Sequence, residues 1–119
     1  MTEILDTQVL DELLALCDGG DPELLLDLVD MFLTDVPSKV TSILEGMAAQ
    51  DFTKVEHAAH ALKGTSGSLG ATHVMRECEA IQNACRSREH ASIPTHVDQL
   101  RKNLADADGA LRAFIAQLS

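Results

Sequence analysis

His60 stands in the run His57-Ala58-Ala59-His60-Ala61-Leu62-Lys63-Gly64-Thr65-Ser66-Gly67-Ser68-Leu69-Gly70-Ala71, and its neighbours suit an imidazole that acts on something outside the chain. Phe52, Val55, Ala59, Leu62, Ser66 and Leu69 recur every three or four residues, the spacing of one buried helix face. At about 100° per residue, His60 points roughly 140° away from that stripe. Gly64 and Gly67 follow one and two turns later on the same outward side, and Lys63 flanks the imidazole at i+3. Glycine inside a helix costs about 1 kcal/mol relative to alanine, so both glycines need a reason. An exposed imidazole with bare neighbours and one cation makes a poor core and a good nucleophile for a bulky partner. An unperturbed imidazole, with a pKa of about 6.5, is mostly neutral and nucleophilic near pH 7.

Other chemistries lack their residues. A carboxylate-bridged metal pair in a helical bundle needs Glu-x-x-His, and no Glu here has a His three residues later. Glu56-His57-Ala58-Ala59-His60 is not His-Glu-x-x-His, and His57 with His60 lacks a third ligand, so no metal is expected. There is no Gly-x-x-x-x-Gly-Lys-Ser/Thr loop and no dinucleotide fingerprint. With no place for ATP, the chain is not expected to phosphorylate itself, and no nucleophile elbow points to a hydrolase. Phosphoryl carriage fits what remains. That chemistry needs in-line positioning and charge neutralisation more than covalent machinery. His60 would take the phosphoryl group, Lys63 would make a charge-assisted contact to its oxygens, and Gly64 with Gly67 would admit a partner's loops. His57 is the rival acceptor, about 60° around the helix, but it lacks the following Lys and Gly. Otherwise it is a surface histidine. His73, His90 and His96 fall near helix ends or in loops and are expected to be solvated. Ser66, on the apolar stripe, is expected to pack.

Positioning these side chains requires helices. Val9, Leu10, Leu13, Leu14 and Cys17 mark a short helix over 7–18, stopped by Gly19-Gly20. Asp21-Pro22 reads as N-cap and first helical residue. The stripe Leu25, Val29, Phe32, Val36, Val40, Ile43 and Met47 keeps its phase through Pro37, which predicts one long helix, kinked near Leu33–Pro37, rather than two. Gln50-Asp51 ends it, and Asp51 caps the His60 helix over 52–68, broken by Gly70. Thr72 caps a fourth helix with Val74, Cys78, Ile81 and Cys85 inward. After a polar loop over 87–92, Ser92-Ile93-Pro94 opens a last helix carrying Val97, Leu100, Leu104, Ala107, Leu111, Phe114 or Ile115, and Leu118. The fold class is all-α: an antiparallel up-down four-helix bundle with a short additional N-terminal helix, forming one domain over 1–119.

Composition agrees. Of the 119 residues 45% are hydrophobic, yet only Phe32, Phe52 and Phe114 are aromatic, an aliphatic balance that favours helices. No apolar run reaches the roughly 18 residues of a membrane span. The acidic start Met1-Thr2-Glu3-Ile4-Leu5-Asp6 lacks a signal-peptide pattern. A cytoplasmic, free-standing monomer is expected. The net charge of −10 argues against nucleic-acid binding. Residues 1–58 carry thirteen acids against Lys39 and Lys54, whereas 59–119 carry six acids against seven Lys and Arg. His60 thus opens the half that better tolerates a phosphoryl group or an acidic partner. Cys17, Cys78 and Cys85 lie on apolar stripes and read as buried, reduced thiols.

His60 to Ala71 resembles the signature of histidine-containing phosphotransfer domains, the intermediates of multistep His–Asp phosphorelays. The similarity continues into Cys78-Glu79-Ala80-Ile81-Gln82-Asn83, and the helix order matches over roughly 7–118. The resemblance implies a four-helix bundle with His60 as phosphoacceptor, Lys63 as the phosphate-side cation and Gly64 as the small residue that permits docking. It also implies Gln82 as a hydrogen-bond partner near the active histidine. The implied partners are response-regulator receiver domains, including that of a hybrid sensor kinase, which donate the group from phospho-aspartate and accept it on aspartate. Mg²⁺ would belong to the receiver, leaving this chain without a cofactor. The alternative is a non-catalytic helical module that binds a receiver domain.

Overall fold

Five α-helices follow one another in the computed structural model, which describes residues 4–16 and 23–117. α1 covers Thr7–Ala15, α2 Glu23–Ala48, α3 Phe52–Ser68, α4 Thr72–Arg86 and α5 Ile93–Ala116, with a 3₁₀ turn at His90–Ser92 leading into α5. No strand occurs among the described residues. From α2 onward each helix packs on the next, and a shorter contact between α2 and α5 completes a bundle of four measuring 48 × 29 × 20 Å. The all-α, up-down bundle with an added N-terminal helix is therefore as expected.

α2 runs unbroken through Pro37, burying Leu25, Val29, Phe32 and Ile43. The shared phase of those residues on both sides of the proline lets one helix serve one core face, although Pro37 has no N–H for the Leu33 carbonyl. At the following corner Gln50 adopts φ +57°, and Asp51 accepts a hydrogen bond from the Lys54 N–H at 3.1 Å, the anticipated cap. Gly46 makes this corner possible: a Cβ there would lie 2.8 Å from Val55 Cγ2.

Gly70 ends α3's excursion with φ +74°, and its carbonyl accepts from the Asp6 N–H at 2.7 Å, tying the chain ahead of α1 to the α3–α4 corner. A Cβ on Gly70 would meet the Asp6 carbonyl at 2.7 Å, so backbone shape and close approach both demand glycine. Thr72 does not cap α4. Buried Ala71 takes that position and, having only a methyl side chain, offers no cap; its N–H donates to the Ser66 carbonyl at 2.9 Å and its own carbonyl receives the Met75 N–H. The polar loop before α5 is partly helical, as the 3₁₀ turn shows. Phe114 and Ile115 share the half-buried place near the end of α5. Cys17, the Gly19-Gly20 stop, the Asp21-Pro22 cap and Leu118 lie outside the described residues.

Cys78 and Cys85 are buried on α4 as free thiols. Burial, aided by the nearby Glu77 carboxylate and only partly opposed by Lys63, pushes the Cys78 thiol up to about 12. It stays protonated and packs as a small hydrophobe.

Candidate functional site

α3 buries Val55, Ala59, Leu62 and Ser66, and that registration turns His60 to solvent. Ser66 is fully buried without cost to the core because its hydroxyl donates to the Lys63 carbonyl at 3.1 Å. Ala58 is buried as well, so the packed face is wider than the stripe alone implied.

Across the seam, α4 presents Gln82, only 3% exposed, with its amide Nε2 3.0 Å from His60 Nδ1. The contact holds the ring by Nδ1 and leaves Nε2 without a hydrogen-bond partner among the described residues. An amide can face the ring with either end. With nitrogen inward, Gln82 donates to Nδ1 and the outer Nε2 keeps the proton. With oxygen inward, Nδ1–H donates to Oε1 and Nε2 offers its lone pair. The orientation of the Gln82 amide thus sets which imidazole tautomer His60 adopts.

Lys63 is half-buried, and its ammonium has no carboxylate within ion-pair distance among the described residues. Its charge is felt at the Cys78 thiol, which places it toward the α3–α4 seam. A Cβ added to Gly64 would meet nothing within 4 Å, so packing gives no reason for that glycine. Gly67 differs: a Cβ there would lie 3.2 Å from Met75 Sδ, so this glycine serves the approach of α4 rather than clearance for a partner alone.

His57 is exposed, and its ring makes no hydrogen bond to a described residue. It lines a separate cleft with Lys39, Ser42, Asp51, Thr53 and Lys54. The other three histidines are not freely solvated, contrary to expectation. His90 stacks on Phe52 at 3.6 Å between ring centroids, His96 Nδ1 lies 3.2 Å from Glu77, and the backbone carbonyl of half-buried His73 accepts from Asn103. Each sits where a helix end meets a neighbouring element, a placement that the one-dimensional pattern does not reveal. Among the described residues no three His, Cys, Asp or Glu side chains gather as a metal site.

Two features escaped the sequence reading. Arg86 on α4 pairs with Glu56 on α3 at 2.6 Å, one turn from the Gln82–His60 contact. Leu28, Met31, Phe32, Thr65, Ser68 and Leu69 line a mainly apolar groove of about 510 Å³ between α2 and α3. Met31 is 66% exposed there. Leu24, Leu28 and Met31, at i, i+4 and i+7, carried the signal as a second stripe on α2. Helical phase puts Thr65, Ser68 and Leu69 about 140°, 80° and 180° around α3 from His60, so the groove opens on a different side of the helix from the imidazole.

Comparison with known proteins gives this geometry a context. The chain is 30% identical over 89 residues to Multistep phosphorelay regulator 1 of Schizosaccharomyces pombe, covering 73% of this chain and 30% of that protein. Against Histidine-containing phosphotransfer protein 1 of Arabidopsis thaliana the identity is 32% over 101 residues, covering 83% and 65%. The chain therefore spans less than two thirds of either relative. Among solved structures, histidine-containing phosphotransfer protein B of Pseudomonas aeruginosa superposes with a TM-score of 0.83 at 23% identity, covering 98% of both chains. The model of the Hpt domain matches residues 27–110, from within α2 to within α5, and so includes His60, Lys63, Gly64 and Gln82. The chain belongs to the Hpt domain family.

Proposed function

We propose that this chain is a phosphorelay intermediate. His60 Nε2 attacks the phosphorus of a receiver domain's phospho-aspartate. The acyl P–O bond breaks as the P–N bond forms, the aspartate leaves as carboxylate, and the Nδ1 proton stays on the ring, accepted by Gln82 Oε1 once the side-chain amide turns its oxygen inward. Reversal onto the aspartate of a second receiver completes the relay. The observation that carries this reading is the Gln82–His60 contact, which engages Nδ1 and frees Nε2 beside the bare Gly64. Lys63, with no competing carboxylate, neutralises charge on the phosphoryl oxygens. Family membership and the phosphorelay named for the S. pombe relative support the same reading.

In this reading the donor is the receiver of a hybrid sensor kinase. The chain acts as a carrier, not an autokinase. Mg²⁺ is held by the receiver, and no cofactor resides here. It works as a cytoplasmic monomer, in keeping with the absence of any described helix long and apolar enough to cross a membrane.

The test is incubation with a phosphorylated receiver domain. Wild-type protein should gain an acid-labile, alkali-stable phosphate and His60→Gln should gain none, while ATP alone labels neither. Receiver binding without labelling would leave only a docking module. Label that survives His60→Gln but not His57→Gln would move the chemistry to His57.

A further inference from the structure

Residues 1–58 carry thirteen acids and only two Lys or Arg, Lys39 and Lys54, and the fold brings both lysines to one cleft. Lys39 and Ser42 reach it from α2, three residues apart, and Thr53, Lys54 and His57 reach it from the start of α3. Buried Ala58 also lines it. The cleft holds about 400 Å³, within the roughly 300–1,000 Å³ of small-ligand sites. Its polar groups are uncommitted. Exposed Lys54 has no carboxylate within ion-pair distance among the described residues. The His57 ring and the Ser42 and Thr53 hydroxyls make no hydrogen bond to a described residue. Lys39 is tied only to Asp35, at 3.8 Å between partly exposed side chains, a contact that costs little to give up. The one acid in the lining, Asp51, already accepts the Lys54 N–H as the α3 cap. The donors on offer are therefore side chains rather than the helix end.

We infer that this cleft binds a small soluble phosphomonoester. Such a group carries about −1.5 to −2 near pH 7 on three terminal oxygens. Two ammonium groups, an imidazole and two hydroxyls give it donors from both helices. Lysine meets phosphate as a point charge, whereas a carboxylate is better matched by the planar fork of arginine. No arginine lines the cleft among the described residues. No Phe lines it either, and the chain has no Tyr or Trp, so a nucleotide base would find only the His57 imidazole to stack on. The volume exceeds what one phosphate needs and leaves room for a small polar carbon body. An anionic membrane is the poorer occupant, because the same half of the chain presents its many acids to an extended surface. The site is separate from His60, since His57 stands one turn earlier and about 60° around α3. It stands whether or not His60 carries phosphate.

Glycerol 3-phosphate is the probe, titrated at constant ionic strength while the ring-proton resonances of His57 are followed by NMR. The His57 signals should move saturably, and glycerol should leave them in place. Lys39→Gln and Lys54→Gln should each weaken binding by about two- to fivefold, the range of one exposed charge contact. Lys102→Gln, on α5, should change nothing, and thermal melts serve as the fold control. His60→Gln should bind as wild type does. Loss of binding in that variant would move the anion to His60 and Lys63 and overturn the assignment. Shifts that grow without saturation, or that are the same in wild type and both cleft lysine variants, would reduce the cleft to solvated surface. Co-sedimentation with phosphatidic acid vesicles without a response to glycerol 3-phosphate would assign the cleft to a lipid headgroup and overturn the soluble ligand.

Discussion

Gly64 weakens its helix and gains no packing in return, since a Cβ there would touch nothing within 4 Å. A residue that costs about 1 kcal/mol relative to alanine without a structural use points to an intermolecular one. Gly64→Gln is accordingly expected to stabilise the fold by roughly 0.5–1 kcal/mol in urea denaturation. The same variant should lose at least tenfold in phosphotransfer from a phosphorylated receiver while still accepting phosphate from small phosphoramidate. An unchanged rate from the receiver would refute the steric role. Gly67 looks equivalent in the sequence but packs against Met75, and its place in the chain gives no hint of the difference.

At the scale of the element, α3 and α5 show what periodicity conveys. The stripe of α3 foretold the burial of Val55, Ala59, Leu62 and Ser66 and the outward turn of His60, because a 3.6-residue repeat fixes direction within one helix. The same logic read through Pro37 and gave α2 as one helix. Contacts between helices were less legible. Gln82 was expected near His60 from family likeness alone, while nothing along the chain announced Glu56–Arg86, His96–Glu77 or the stacking of His90 on Phe52. Buried Asn103 on α5 is a similar case, its amide donating to the His73 carbonyl at 3.3 Å. A polar residue is read as exposed until its partner, here 30 residues away, is known. Gly109 offers a control in α5: it is exposed, mid-helix and open to a Cβ. Gly109→Ala should stabilise by about 0.5–1 kcal/mol with phosphotransfer unchanged. A fall in melting temperature would show that α5 is held by something other than helix propensity and packing.

For the whole molecule, the bundle keeps α4 buried between α3 and α5, and Cys78 reports on that burial. Its thiol is raised from an ordinary 9.0 to about 12, so the folded state holds the proton more tightly than the unfolded chain does. The stability this confers is complete below pH 9 and is lost as pH rises through 12. Urea midpoints at pH 8 and pH 11 should therefore fall less steeply in Cys78→Ala than in wild type, even though the variant starts lower through its cavity. Parallel declines would place the alkaline sensitivity elsewhere.

The bundle's central output is one imidazole nitrogen aimed at solvent. The most direct test is a ¹H–³¹P correlation spectrum of the protein after phosphorylation by a phosphorylated receiver. The account predicts a single phosphorus coupled to both carbon-bound ring protons of His60, the pattern of a phosphoryl group on Nε2. Coupling to the Hε1 proton alone, which marks Nδ1, or coupling to the ring of His57, would contradict it.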